Sequence, residues 1–217
     1  TEIYTLSLHD ALPIYSMSYR NLRQSLTLTA ALLAGATSAS ALADSVTYQM
    51  DPMHTSVVAS WSHFGFSHPT ASFSDVKGTI HFDRDAIADS SVEVSIPVKT
   101  VDTRVPALNE EFLGENYFDV AQYPDATFKS TRIEATGDDH YDVHGKLTIK
   151  GVTHPAVLHA TLNQVGEHPM AKVPALGFDA ETTIQRSDYG LDQYVPNVSD
   201  AIHIRISSEA EAGGSDS

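Results

Sequence analysis

The residues of this sequence that could carry out chemistry are its histidines, its acidic residues and an arginine near the end of a strand-like segment. Ten of the eleven histidines lie beyond residue 43. Two metal ligands on one strand should stand two residues apart, whereas His140 and His144 are four apart, about 13 Å along a strand. Only His54, His63 and His68 could be brought together by a loop. The other spacings indicate surface or hydrogen-bonded histidines, and we predict no metal site.

The motifs of nucleophilic and acid–base catalysis are not present in the sequence. It contains no cysteine, no G-x-S-x-G elbow and no glycine-rich phosphate loop. Glu110 and Glu111 are adjacent, so their carboxylates would diverge on a helix. We therefore predict that the protein is not an enzyme. The alternative is a hydrolase or isomerase that uses His54 or His63 as its base.

The charge of the chain excludes two classes of partner. The net charge is −15, and an acidic surface repels the phosphate backbone of nucleic acids. It also repels anionic membranes. The lack of cysteine excludes disulfides, thiolate metal sites and a lipid-anchored N-terminal cysteine.

The two ends of the chain differ from the part between them. Residues 1–16 resemble translated adapter sequence, so we predict a non-native extension. Arg20 and Arg23, an apolar run at 26–36 and a small residue at Ala43 are typical of an export signal. The run is shorter than the roughly twenty residues of a membrane anchor, so we expect no stable membrane insertion. The predicted organisation is a signal peptide at 17–43, one domain at 44–207 and a flexible tail at 208–217, in the periplasm.

Alternation of apolar and polar residues predicts the strands that would hold the candidate residues. Residues 141–162 form two alternating arms around Gly151, which is typical of a hairpin. Between 100 and 124 the alternation stops, and Pro106 with the apolar Phe112 predicts a short helix that acts as a lid or plug. Nine strand-like segments run over 46–50, 57–64, 76–83, 92–99, 126–134, 141–150, 156–162, 178–185 and 201–207. Both an antiparallel sandwich and a closed barrel fit this pattern.

The apolar and aromatic side chains outnumber what a tightly filled small barrel needs. They include Trp61, Phe64, Phe66, Phe73, Phe112, Leu113, Tyr117, Phe118 and Phe128. Any of them could instead pack in a filled core, which would make the protein purely structural. An eight-stranded barrel can hold one slender ligand, and the small inward residues Gly145, Ala156 and Ala160 would leave room for it.

Arg186 follows the segment at 178–185 and faces inward by the same alternation. A buried arginine without a partner is costly, and the candidates are Asp188, Asp200 or a ligand oxygen. With Tyr189 and His54, Arg186 would orient the head of a ligand in an otherwise apolar cavity. The predicted ligand-binding residues are His54, Trp61, Phe64, Phe66, Phe112, Leu113, Tyr117, Phe118, Phe128, Leu147, Arg186 and Tyr189.

Several motifs, taken in order, resemble the YceI-like family of exported, lipocalin-like proteins over residues 48–210. They are Tyr48-x-x-Asp51-x-x-His54-Thr55-Ser56, Gly78-Thr79-Ile80 with Phe82-Asp83, Val101-Asp102-Thr103, Tyr117-Phe118-Asp119, Tyr123-Pro124, Phe128-Lys129-Ser130, the run from Gly145 to Thr153, and Arg186-Ser187-Asp188-Tyr189-Gly190-Leu191. The resemblance implies an all-β fold, a closed antiparallel lipocalin-like β-barrel with one short helix inserted between strands. It also implies a long apolar isoprenoid or related lipid inside the barrel, in the periplasm, and often a homodimer.

The chain departs from the family pattern at two places. Ser72 precedes Phe73 where the family usually has glycine, and Asn109-Glu110-Glu111 replaces a more basic pattern on the helix. The acidic helix argues against an acidic head group held by that helix.

We predict a periplasmic carrier that holds a polyisoprenoid, an isoprenoid quinone or a fatty-acid-like chain, with no other cofactor. Burying about 400 Å² of ligand at about 25 cal/mol per Å² gains roughly 10 kcal/mol before ordering costs. The alternatives are an accessory that presents a bound quinone to a membrane electron-transfer protein, the enzyme described above, and a structural protein with a filled core.

Overall fold

The structure is a computed structural model that describes residues 46–213. Within this range there are ten strands and one α-helix, α1 (Pro106–Leu113). The strands are β1 Val46–Met50, β2 Ser56–Ser60, β3 Thr70–Phe73, β4 Lys77–Phe82, β5 Ser91–Pro97, β6 Asp125–Gly137, β7 His140–Ile149, β8 Val152–Glu167, β9 Pro174–Gln185 and β10 Ala201–Ala212. The predicted extension at 1–16 and signal peptide at 17–43 lie outside the described residues.

Eight of the strands close into an antiparallel barrel in the order β1-β4-β5-β6-β7-β8-β9-β10. The barrel closes where β10 pairs with β1, with Tyr48 opposite Ala212. The first half of β10 pairs instead with β2, with His203 opposite Ser60, and β3 pairs with the outer side of β2. The predicted closed barrel is confirmed, which decides against the sandwich.

The hairpin predicted at 141–162 is formed by β7 and β8. Gly145 lies opposite Ala156. The two turn residues, Lys150 and Gly151, have φ angles of 49° and 75°, the left-handed conformation that a tight two-residue hairpin turn requires. Inward residues such as Leu147 are buried. The predicted alternation is therefore confirmed along the hairpin.

Most strands differ from their predicted limits; β2, for example, ends at Ser60 rather than at residue 64, and β9 starts at Pro174 rather than at residue 178. β8 starts at Val152 rather than after Pro155, because the two-residue turn places Val152 directly opposite Ile149. A short strand, β3, lies in the segment predicted as a loop, since four residues are too few to display alternation. β10 continues to Ala212, where it pairs with β1, so the tail predicted to begin at residue 208 is in part a strand.

The loops between antiparallel strands divide between the two ends of the barrel. One end, here called the helix end, carries residues 61–69, 98–124, 150–151 and 186–200. The other, the opposite end, carries residues 83–90, 138–139 and 168–173. The predicted helix is confirmed as α1 at the helix end, with Pro106 in its first turn, where a missing amide donor has no effect.

Side-chain contacts attach α1 to the barrel. Thr103, just before the helix, donates to Asn109 Oδ1 from its amide (2.8 Å) and from its hydroxyl (2.6 Å). Phe112 packs on Trp61, which forms a small buried cluster with Ala71 and Val101. α1 is much too short to span a bilayer, and no longer apolar helix occurs in residues 46–213.

Candidate functional site

The interior of the barrel contains a cavity of about 650 Å³. All eight barrel strands contribute inward side chains to its wall, and most of these side chains are aliphatic or aromatic. The volume lies within the range of about 300–1,000 Å³ that is usual for small-molecule sites. The interior is therefore not filled by the protein's own side chains, which contradicts the alternative of a filled core.

Three aromatic rings narrow the cavity at the opposite end. Phe82, Tyr141 and Phe178 pack edge to face, with ring centroids 5.6–6.1 Å apart, the arrangement that aromatic quadrupoles favour. Burial raises the pKa of the Tyr141 hydroxyl, so this ring stays neutral. The trio forms an apolar floor to the cavity.

The cavity reaches solvent at the helix end. Val105 and Tyr194 line it and are 51% and 62% exposed. Phe112 lies beside this opening, here called the mouth, with its ring 5.0 Å from Tyr117 and 6.1 Å from Phe118. Burial, reinforced by the Glu111 carboxylate, raises the pKa of Tyr117. A linear ligand that enters through this mouth would pass this aromatic group.

Gly145 was expected to leave room for a ligand, but it does not. A Cβ atom at this position would lie 2.3 Å from Cζ of Phe128 and 2.7 Å from the Lys129 carbonyl oxygen. The Phe128 ring from β6 therefore occupies the space beside the glycine. Ala160 does line the cavity, whereas Ala156 lies outside its lining.

Arg186 faces inward, as predicted, and binds the main chain of one loop. Its Nε donates to the Ser199 carbonyl (2.9 Å), and its Nη2 donates to the carbonyls of Gln193 (2.8 Å) and Val198 (3.0 Å). Its Nη1 donates to the Leu191 carbonyl. Arg186 thus holds the loop of residues 191–199 as one wall of the cavity.

The predicted carboxylate partners of Arg186 are wrong. Asp200 accepts hydrogen bonds from the Ser187 amide (2.8 Å) and hydroxyl (2.6 Å) instead. Within residues 46–213 the guanidinium forms no ion pair. Its positive charge is stabilised by the carbonyl groups that accept its hydrogen bonds. Alternation predicted the direction of the side chain, but loop 191–199 has no periodicity from which its carbonyls could have been located.

The twelve predicted ligand-binding residues separate into two groups. Those that line the cavity are Trp61, Phe112, Tyr117, Phe118, Phe128, Leu147 and Arg186. Those that lie outside its lining are His54, Phe64, Phe66, Leu113 and Tyr189. The residues of this second group therefore do not face the cavity.

His54 and Tyr189 are absent from the cavity for different reasons. His54 projects outward and its Nδ1 lies 2.5 Å from Asp51 Oδ2. The hydrogen bond to Asp51 raises the pKa of His54. Burial opposes ionisation of Asp51, but hydrogen bonds from His54 and the Met53 amide outweigh it and lower the pKa of that carboxyl. Tyr189 is buried in the turn after β9, with its ring 5.3 Å from His154.

Phe64, Phe66 and Leu113 lie near the mouth without lining it. Phe64 and Phe66 stand at the tip of the loop between β2 and β3 and are 49% and 92% exposed. Leu113 packs against the cluster around Trp61. The apolar character of these residues did not reveal which side of the loop or helix they occupy.

Sequence reasoning also missed most of the aliphatic wall. Val57, Val94, Ala180, Ile184 and Ile204 line the cavity. Their inward alternation along β2, β5, β9 and β10 was the available signal, but the predicted site consists mainly of aromatic residues and does not include them.

The structure brings together a different set of potential metal ligands from His54, His63 and His68, the group that a loop could have assembled. Ligand atoms of His168, Glu209 and Glu211 lie within 4.8 Å of one another. However, His168 Nδ1 accepts a hydrogen bond from the Ala171 amide (2.9 Å). The ring proton must then sit on Nε2, which faces Glu209 at 3.4 Å. This arrangement explains the cluster as a hydrogen-bonded surface group, because a metal would need that nitrogen unprotonated.

The sequence profile of the YceI-like domain matches residues 48–210. The chain belongs to the YceI-like family. A UPF0312 protein of Pectobacterium atrosepticum is 33% identical over 174 residues, which cover 80% of this YceI-like chain and 90% of the relative. The crystal structure of BcnA from Burkholderia cenocepacia superposes with a TM-score of 0.67 at 26% identity, covering 74% of this chain and 98% of that one.

A polyisoprenoid-binding domain from Saccharophagus degradans, implicated in plant cell wall breakdown, has the same fold as this YceI-like barrel. Its TM-score is 0.61 at 17% identity, over 77% of this chain and 99% of that domain. At this identity the similarity concerns the fold alone.

Proposed function

We propose that this YceI-like protein binds a long apolar lipid, a polyisoprenoid or an isoprenoid quinone, inside the barrel. The observation that carries the proposal is the cavity of about 650 Å³ with its apolar wall, its aromatic floor and its mouth at the helix end. At about 25 cal/mol per Å², enclosing about 400 Å² of hydrocarbon contributes roughly 10 kcal/mol before ordering costs. The Saccharophagus domain that shares this fold is named for polyisoprenoid binding, and we extend that class of cargo to this chain as part of the proposal.

The polar groups at the mouth favour an uncharged head group. Four of the five N–H donors of Arg186 are engaged by carbonyls, which leaves one Nη1 donor for a ligand oxygen. A phosphate would require several donors, and Glu111 also lines the cavity. A single carbonyl or hydroxyl oxygen, as in a quinone or a polyprenol, fits this arrangement.

Lipid extraction of the purified protein, followed by mass spectrometry, tests the proposal. Ala180 lines the cavity from β9, and its neighbour Glu181 is exposed on the outer face. We expect Ala180→Trp to lose most of the co-purifying lipid because the indole occupies cavity volume. Glu181→Trp is the matched control and should retain the lipid. Equal lipid content in folded samples of both variants would contradict binding inside the barrel.

We propose a periplasmic location, supported by the export signal predicted at 17–43.

The same lipid extract distinguishes two roles for the cargo. A quinone would show an absorbance change on borohydride reduction, whereas a polyprenol would not. Only the first result is compatible with presentation of a bound quinone to a membrane electron-transfer protein.

A further inference from the structure

Three exposed aromatic side chains surround the mouth. Tyr194 is 62% exposed, Phe64 49% and Phe66 92%. Among residues 46–213, every exposed large aromatic side chain belongs to this group. Val105, at the start of α1, extends the same surface. Exposed aromatic surface that lies around one opening is typical of an interaction site.

Hydrogen bonds hold two of these loops together at the mouth. The Phe64 amide donates to the Asn197 carbonyl (2.9 Å), and the Ser199 amide donates to the Ser62 carbonyl (2.9 Å). The His63 amide donates to the Ser67 carbonyl (2.9 Å), which closes the tip of the hairpin. The exposed rings are therefore presented from a fixed platform.

The backbone of this rim places two bulky residues in the left-handed region. Phe64 and Tyr194 have φ angles of 52° and 64°, a left-handed conformation that is uncommon for bulky residues. Such strain persists where the surrounding structure imposes it, often at functional sites. Here both side chains remain largely exposed to solvent, at 49% and 62%.

We infer that this rim, Phe64, Phe66, Val105 and Tyr194, inserts into the surface of an uncharged or zwitterionic lipid bilayer and so places the mouth against the membrane. Four side chains are too few for a stable protein partner, which takes about 20–30 residues on each side. Aromatic rings, by contrast, are favoured at the membrane interface. The loops of the helix end carry eight acidic and four basic residues, which disfavours anionic lipid.

The inference extends the proposed function by giving an apolar cargo a route that avoids water. The test is flotation of the mature chain with phosphatidylcholine vesicles, with and without added phosphatidylglycerol. We expect binding to phosphatidylcholine that weakens as phosphatidylglycerol is added. Phe64→Ser with Phe66→Ser should reduce the partition coefficient about tenfold or more, because two large apolar side chains no longer enter the interface.

Met53 and Met170 provide a matched control, because they are 87% and 86% exposed and lie away from the mouth. Replacing both with serine removes comparable apolar surface and should leave vesicle binding unchanged. A second test relies on a gain of signal rather than on a loss of binding. The tryptophan fluorescence of Phe66→Trp should shift to shorter wavelength with vesicles and should be quenched by brominated phosphatidylcholine. The fluorescence of Met170→Trp should show neither change.

Several results would overturn the inference. These are unchanged flotation of the double phenylalanine variant, equal losses in the methionine control, stronger binding to phosphatidylglycerol, and a wild-type dimer in solution that the phenylalanine variant disrupts. Lipid content is measured on the same samples. Cargo without vesicle binding would refute docking alone, and vesicle binding without cargo would refute the proposed function alone.

Discussion

Replacing Arg186 with methionine tests whether this residue holds the loop of residues 191–199. Methionine keeps much of the volume but removes all four hydrogen bonds to loop carbonyls. A hydrogen bond to a charged group contributes about 1.5–3 kcal/mol. Only Leu191 among the four acceptor residues is fully buried, so water can replace part of the loss. We therefore count about two bonds, or roughly 3–6 kcal/mol of unfolding free energy.

This loss corresponds to a melting temperature that is lower by roughly 6–24 °C, at about 2–4 °C per kcal/mol for a domain of this size. Circular dichroism melts measure it directly. Arg186→Lys should give an intermediate value, because an ammonium group keeps the charge but lacks the planar fork that reaches several carbonyls. Arg205→Met removes an exposed arginine from the outer face of β10 and should change the melting temperature little.

The result that would refute this reasoning is an Arg186→Met protein that melts within about 2 °C of wild type, which is less than one bond's contribution. If that protein also lost its lipid, Arg186 would act on the ligand head rather than on the loop. Lower stability with unchanged cargo would assign the residue to structure.

Two further predictions concern other parts of the barrel. Gly145→Ala should cost about 1–3 kcal/mol of unfolding free energy, because the new methyl group would overlap the Phe128 ring. In thermal melts Gly166→Ala, which adds a methyl in open space, should differ from wild type by less than about 0.5 kcal/mol. The His54 ring, followed by NMR, should titrate above its ordinary pKa of 6.5 and return toward it in Asp51→Asn. The folded-state pKa of His54 is raised and that of Asp51 is lowered, so stability from this pair is lost as pH rises through the His54 pKa and also as pH falls through the Asp51 pKa. A His54 midpoint unchanged by Asp51→Asn would contradict the assignment.

The sequence alone was sufficient for the strands with regular alternation and for the direction of their side chains. Period-two alternation at 141–150 and 156–162, with Gly151 between them, predicted the hairpin of β7 and β8 and its buried face. The same alternation predicted that Arg186 points inward. Proline at residue 106 marked the start of α1. These predictions succeed because the face of a strand residue depends on its own position, not on its neighbours in space.

Only the tertiary structure decided what each inward side chain meets. The neighbour of Gly145 is the Phe128 ring rather than a ligand. The partners of Arg186 are loop carbonyls rather than an aspartate. The position of Phe64 and Phe66 outside the cavity likewise follows from a turn with left-handed backbone. Such contacts join residues far apart in the chain, and loops have no periodicity to encode their direction, so the local pattern of residues carries no information about them.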